Sequence, residues 1–216
     1  MKILIITDSL GLPRDFPEKL NYNETWVYLL SNHFEVHQLS FGGATIDVLF
    51  SQLGYLKLFN PDLVFIQSGI VDCTPRALSK FENKLINRFS ILKWLFNKLL
   101  KKDILFKLRK YRNLKYTLPF IFSGYVNKFN AEFKNKLFWI EIIPPTDFYE
   151  NKIPGIKKNV IYFNELISNV VGNNFVSTND FSTDELMSDH IHLNTQGNFK
   201  LFERIKTIVV NHENHS

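Results

Sequence analysis

Lys2-Ile3-Leu4-Ile5-Ile6-Thr7, followed at once by Asp8-Ser9-Leu10-Gly11, decides how this chain folds. A short, unbroken run of β-branched and aliphatic residues reads as a strand buried on both faces, the habit of a parallel sheet covered by helices. The polar turn behind it puts Asp8 and Ser9 at the strand's carboxyl end. Four later segments repeat the theme: 36–41, ended by Gly42-Gly43; 62–67, centred on Leu63-Val64-Phe65-Ile66; 137–143, closed by Pro144-Pro145; and the short 174–177. Helical spacing occupies the intervals. Residues 23–34 carry Trp26, Val27, Leu29, Leu30 and Phe34, with Asn23 as N-cap, and 46–59 run through Ile46, Leu49, Phe50, Leu53 and Leu56 to a stop at Asn60-Pro61. Two further helices are expected over 159–171 and 195–210. Strands alternating with helices predict an α/β fold: a three-layer α/β/α sandwich on a five-stranded, mostly parallel sheet.

Composition narrows the class. The 216 residues are 45% hydrophobic and 22% charged, with 9 Gly and 8 Pro, which excludes a disordered or low-complexity chain. The single cysteine, Cys73, excludes a disulfide framework and a cysteine-rich zinc site. No apolar run approaches the roughly 18 residues of a membrane span. The first residues read as a strand rather than a signal peptide, so a single cytoplasmic domain over residues 1–216 is expected.

The net charge of +5 is unevenly spread: residues 80–115 hold twelve Lys or Arg against Glu82 and Asp103, a net of +10, on an otherwise mildly acidic chain. This predicts a basic helical insertion at about 78–135. Apolar residues at Phe81, Leu85, Phe89, Leu92, Leu95, Phe96 and Leu99 recur near the helical period, broadened by Ile91 and Trp94. The segment is either a helical lid with solvated lysines or a basic amphipathic surface resting on anionic lipid, peripheral at the inner face of the membrane. No helix-turn-helix, zinc-finger or RNP-type motif accompanies it, so no nucleic-acid partner is expected.

Sites in such sheets form where strands end. Ser9 follows the first strand, either as a turn serine or as a hydroxyl presented to a ligand; as a nucleophile it needs a base nearby. Ser188-Asp189-His190-Ile191-His192 supplies one before the last helix. Asp189 and His192, three apart, can point into one cleft as acid and base of an acyl-transfer triad, with His190 a competing imidazole. Arg76 reads either as a contact for an anionic group or as an ion-pair partner of Asp72. Cys73 reads as a buried structural thiol, and His212 and His215 as members of a polar tail.

These blocks, in this order, resemble the SGNH (GDSL-type) hydrolase family. Thr7-Asp8-Ser9-Leu10 is similar to the family's Gly-Asp-Ser-Leu, Phe41-Gly42-Gly43-Ala44-Thr45 to its second block, Gly69-Ile70-Val71-Asp72 to its Gly-x-Asn-Asp, and Asp189-His190-Ile191-His192 to its Asp-x-x-His. The resemblance implies a flavodoxin-like SGNH hydrolase fold and a serine esterase or O-acyltransferase. It implies Ser9 as nucleophile, His192 rather than His190 as base, Asp189 as its acid, and an oxyanion or substrate site around Gly43, Asp8, Gly69, Asp72 and Arg76. It implies no metal, no organic cofactor, and a small-molecule or carbohydrate ester as partner. One position departs: the family's oxyanion-hole asparagine is Val71. With no side-chain donor there, the hole keeps the N–H groups of Ser9 and Gly43, and a loss of catalysis, leaving a binding module, is the alternative reading. Gln67, Asn23 and Arg76 are the polar residues available to compensate.

Overall fold

The computed structural model describes residues 1–99 and 101–214. Strands β1 (Lys2–Thr7), β2 (Glu35–Ser40), β3 (Leu63–Gln67), β4 (Leu137–Ile140) and β5 (Phe175–Val176) form one sheet in the order β2-β1-β3-β4-β5. Every pairing is parallel, with Ile3 opposite Val36 on one side and Leu63 on the other. The helices in chain order are α1 (Trp26–Ser31), α2 (Ile46–Ser51), α3 (Leu53–Leu56), α4 (Ile70–Cys73), α5 (Lys80–Arg88), α6 (Ser90–Leu99), α7 (Lys102–Arg112), α8 (Pro119–Phe133), α9 (Asp147–Lys152), α10 (Ile156–Val171) and α11 (Thr195–Glu213).

The period of two along each strand divides the core between the two faces. Leu4, Ile6, Val64 and Ile66 join Phe122, Phe129 and Phe163 from α8 and α10 in one cluster. Ile3, Ile5, Leu63 and Phe65 join Trp26 and Leu30 of α1 and Leu201, Ile205 and Val209 of α11 in the other. Trp26 fastens this second layer. Its backbone N–H donates to Asn198 Oδ1 at 3.0 Å, and its indole N–H to Gln67 Oε1 at 3.1 Å.

Several boundaries differ from the expectation. The first helix begins at Trp26 because Thr25 caps it, its hydroxyl accepting the Tyr28 N–H, while Asn23 sits exposed in the preceding turn Tyr22–Glu24. The 46–59 segment is divided into α2, α3 and a 3-10 turn, Lys57–Phe59; Gly54, a weak helix former, lies in α3. β4 ends at Ile140 since the Asn164 side chain takes over the backbone of Ile142, accepting its N–H at 3.0 Å and donating to its carbonyl at 2.9 Å. α11 continues to Glu213, so His212 is helical; His215 lies outside the described residues.

The segment 78–135 is two things. α8 buries Phe122, Val126, Phe129 and Phe133 and belongs to the core. α5, α6 and α7 form a basic arm that exposes Phe81, Leu85, Phe89, Trp94 and Tyr111 beside its lysines. The side chains of Ile91, Leu92, Leu95 and Leu99 lie outside the described residues. An antiparallel bridge between Arg76 and Leu114 closes the arm's base, a bidentate pair of Arg112 with Glu82 ties α7 to α5, and Lys80 reaches Thr45 beside α2 at 3.2 Å. Among the described residues no helix is long and apolar enough to cross a membrane.

Candidate active site

Ser9 follows β1 directly, in the 3-10 turn Ser9–Gly11 that Asp8 caps with its side chain. Asp189 and His192 come from the loop ahead of α11. That loop is held by Met187 N–H to the His192 carbonyl (2.8 Å) and by Asn194, which caps α11 through the Gly197 N–H and donates back to Asp184 and Leu186. Gly197 permits the approach: a Cβ there would stand 2.2 Å from the Glu185 carbonyl oxygen.

The three side chains meet. Ser9 Oγ is 3.1 Å from His192 Nε2, and His192 Nδ1 is 2.6 Å from Asp189 Oδ2. With its Nδ1–H given to the carboxylate, the neutral ring keeps Nε2 as acceptor, so the serine O–H donates to it. Asp189 Oδ1 accepts the N–H groups of Ile191 (3.0 Å) and His192 (3.1 Å). Burial opposes the charge on Asp189, yet the hydrogen bond and charge of His192, with those two N–H groups, hold its carboxyl at about 2. His190, the competing imidazole, has φ +59°, meets Thr146 Oγ1 at 3.0 Å through Nδ1 and stacks on Phe148 at 4.5 Å.

Gly43 is exposed with φ +72°, a conformation suited to glycine, and its N–H and that of Ser9 donate to no acceptor among the described residues. Gly69 has φ +132° and a Cβ there would lie 2.6 Å from Ile142 Cδ1, so this turn requires glycine for backbone and packing alike. Val71 is half-buried and packs on the core cluster of α4 and α8.

Asp8 and Asp72 do not present themselves to a ligand, contrary to the expectation, since both are fully buried. Asp72 accepts the Ile46 N–H on both oxygens at 3.2 Å and the Thr117 hydroxyl, tying α4 to α2 and to the arm's far end. Asp8 Oδ1 accepts the Leu10 N–H at 3.0 Å, and Oδ2 has no partner. Burial first, and then mutual repulsion for Asp8, push both carboxyls up to about 7. The Arg76–Asp72 ion pair is absent: the Arg76 guanidinium lies 4.5 Å from the Tyr116 ring centroid and donates to the Val71 carbonyl at 3.4 Å. Gln67 is buried against Trp26 and Asn23 faces solvent. Burial, reinforced by Asp72, pushes the Cys73 thiol up, which makes it a structural thiol. Among the described residues no cluster of three His, Cys, Asp or Glu could hold a metal.

The Asp8 carboxyl makes stability depend on pH. Its folded value of about 7 lies above its ordinary 3.8. The folded state therefore binds the extra proton, and stability falls as pH rises from about 4 to about 7. Asp8→Asn removes this contribution. Its stability relative to the parent, from urea unfolding, is expected to be on the order of 2 kcal/mol more favourable at pH 8 than at pH 5.

Two features had no signal in the sequence. Arg14, in a loop pinned by a bridge to Leu20, donates to the Ser9 carbonyl at 2.8 Å and lies in the fields of Asp189 and Asp8. A tight apolar pocket of about 10 Å³ borders the site between Leu10, Ile70, Ile142, Tyr149 and Ile191, with room for one water-sized group.

No family model and no curated protein sequence matches this chain. Solved structures do. A lipase/acylhydrolase from Enterococcus faecalis superposes with a TM-score of 0.63 at 14% identity, over 94% of this chain and 92% of that one. A psychrotrophic esterase from Pseudoalteromonas sp. gives 0.56 at 17%, over 99% and 98%. A catalytic mutant of an acetylxylan esterase from Geobacillus stearothermophilus gives 0.53 at 13%, over 94% and 91%. At such identities the likeness is one of fold, and the shared fold is the three-layer sandwich that the sequence blocks resemble.

Proposed function

We propose that this protein is a serine esterase or O-acyltransferase of the SGNH type, acting on small acyl groups, acetyl foremost, carried by a carbohydrate. The observation that carries the reading is the unbroken hydrogen-bond chain from Ser9 through His192 to Asp189. His192 Nε2 takes the Ser9 proton as Oγ attacks the ester carbonyl, and Asp189, kept ionised, stabilises the imidazolium and fixes its tautomer. The N–H groups of Ser9 and Gly43 are the donors available to the oxyanion. The imidazolium then protonates the leaving alcohol, and water or an acceptor hydroxyl, deprotonated by His192, releases the acyl group from Ser9. Neither step calls on a metal or organic cofactor. The narrow apolar pocket beside Ser9 favours a short acyl chain, and the acetylxylan esterase among the structural neighbours supports a sugar ester.

Labelling with a fluorophosphonate, read by intact mass, tests the reading. One adduct on Ser9, absent from Ser9→Ala, is expected, together with acetate release from p-nitrophenyl acetate and from acetylated oligosaccharides. Val71 favours the alternative reading, a binding module of the same fold; a folded protein that neither labels nor turns over would establish that instead.

A further inference from the structure

Among the helices of the basic arm and at its base lies a second cavity, of about 180 Å³, whose walls include Arg76, Asn83, Phe96, Leu105, Arg109 and Tyr116. It differs in character from the apolar pocket beside Ser9. Two guanidinium groups face one space, and among the described residues no carboxylate pairs with either. Glu82, the acid closest in sequence to Asn83, is already committed to Arg112 through both of its oxygens. Arg76 Nε is buried without a hydrogen-bond partner. Buried donors left unmatched are uncommon, and two unpaired arginines in one cavity form a fork suited to an anion.

Two observations relate the cavity to the candidate active site. Arg76 donates to the carbonyl of Val71 in α4, the helix that follows β3. Tyr149, in the wall of the apolar pocket, lies in the fields of Arg76, Arg109 and Asp189 together. A molecule with an ester at Ser9 and a negatively charged group on its non-reacting part would engage both.

We infer that Arg76 and Arg109 form a subsite for an anionic group, a carboxylate or phosphate, carried by the part of the substrate that does not react. This rests on the esterase reading of Ser9 and specifies it: the natural ester is acidic. Asn83 and the Tyr116 hydroxyl, 3.0 Å apart, supply neutral hydrogen-bonding groups beside the two cations.

The test separates this claim from the catalytic one. Inorganic phosphate binding is measured by calorimetry on the full chain, on Ser9→Ala, and on Arg76→Gln and Arg109→Gln. Ser9→Ala is expected to bind phosphate like the parent, and each arginine variant about tenfold or more weakly. Arg109 stands on the exposed arm, so its variant keeps the test valid if Arg76→Gln fails to fold. Kinetics with acetylated neutral and acetylated uronic-acid oligosaccharides add a second readout. Arg109→Gln should raise KM for the acidic substrate about tenfold and leave kcat, and both constants for the neutral one, unchanged. Equal phosphate binding by parent and both variants, or none by the parent, would overturn the subsite whatever Ser9 does. Arginine-dependent sedimentation with phosphatidylglycerol vesicles that phosphate does not compete away would overturn it too, in favour of a lipid headgroup.

Discussion

Ser9→Ala is expected to lower kcat/KM for p-nitrophenyl acetate by about 10⁴-fold or more while leaving the unfolding free energy within a few tenths of a kcal/mol of the parent. The hydroxyl is half-exposed and its hydrogen bond goes to His192 alone, so removing it opens no cavity and strands no buried donor. His192→Ala has the same kinetic effect by a different route, since an alcohol without a base is a poor nucleophile at neutral pH. The double variant is expected to be no slower than either single one, because the residues act as a unit. Losses that multiply instead would mean that Ser9 and His192 serve separate steps.

Val71→Asn is the second large effect, and it runs the other way. An oxyanion-hole donor contributes on the order of 10²–10³ in kcat. Val71 is half-buried at the start of α4, two residues after Gly69, and adding an amide there is expected to raise kcat for an activated acetyl ester by about 10²-fold with KM little changed. The cost falls on stability, about 1 kcal/mol, because the valine side chain packs on the core cluster. Steady-state kinetics alongside urea unfolding separates the two consequences. A variant no faster than the parent would show that this position does not face the developing charge.

The layered fold was legible because β1 and β3 carry unbroken apolar runs, Ile3 to Ile6 and Leu63 to Ile66, whose alternate residues must feed two different cores. Spacing alone left His190 and His192 both open as the base, and the family resemblance singled out His192; the three-residue interval then lets the Asp189 carboxylate accept both His192 Nδ1–H and the backbone N–H groups beside it. Other features depend on tertiary contacts that local pattern does not encode. Whether Thr25 or Asn23 caps α1 is decided by which one the turn Tyr22–Glu24 delivers to the Tyr28 N–H. Asp8 and Asp72 entered the expected site only as members of the family-like blocks, but both turn inward to satisfy backbone N–H groups. Arg14 approaches Ser9 through a loop whose path no periodicity announces. The division of 78–135 was hidden by continuity, since α8 follows the arm without a change in helical character, and only the sheet distinguishes the buried helix from the exposed ones.

Ser9 and His192 are 183 positions apart, yet their side chains touch. Ser9 stands behind β1 and His192 ahead of α11, so until both elements have packed the serine is an ordinary alcohol beside a strand that lacks its partner. α11 must pack on α1 and present the Asp189–His192 loop before the Ser9–His192 hydrogen bond can form. On the esterase reading, a chain that has not completed this docking is expected to be unreactive, and labelling by a phosphonate probe would time the closing event of folding.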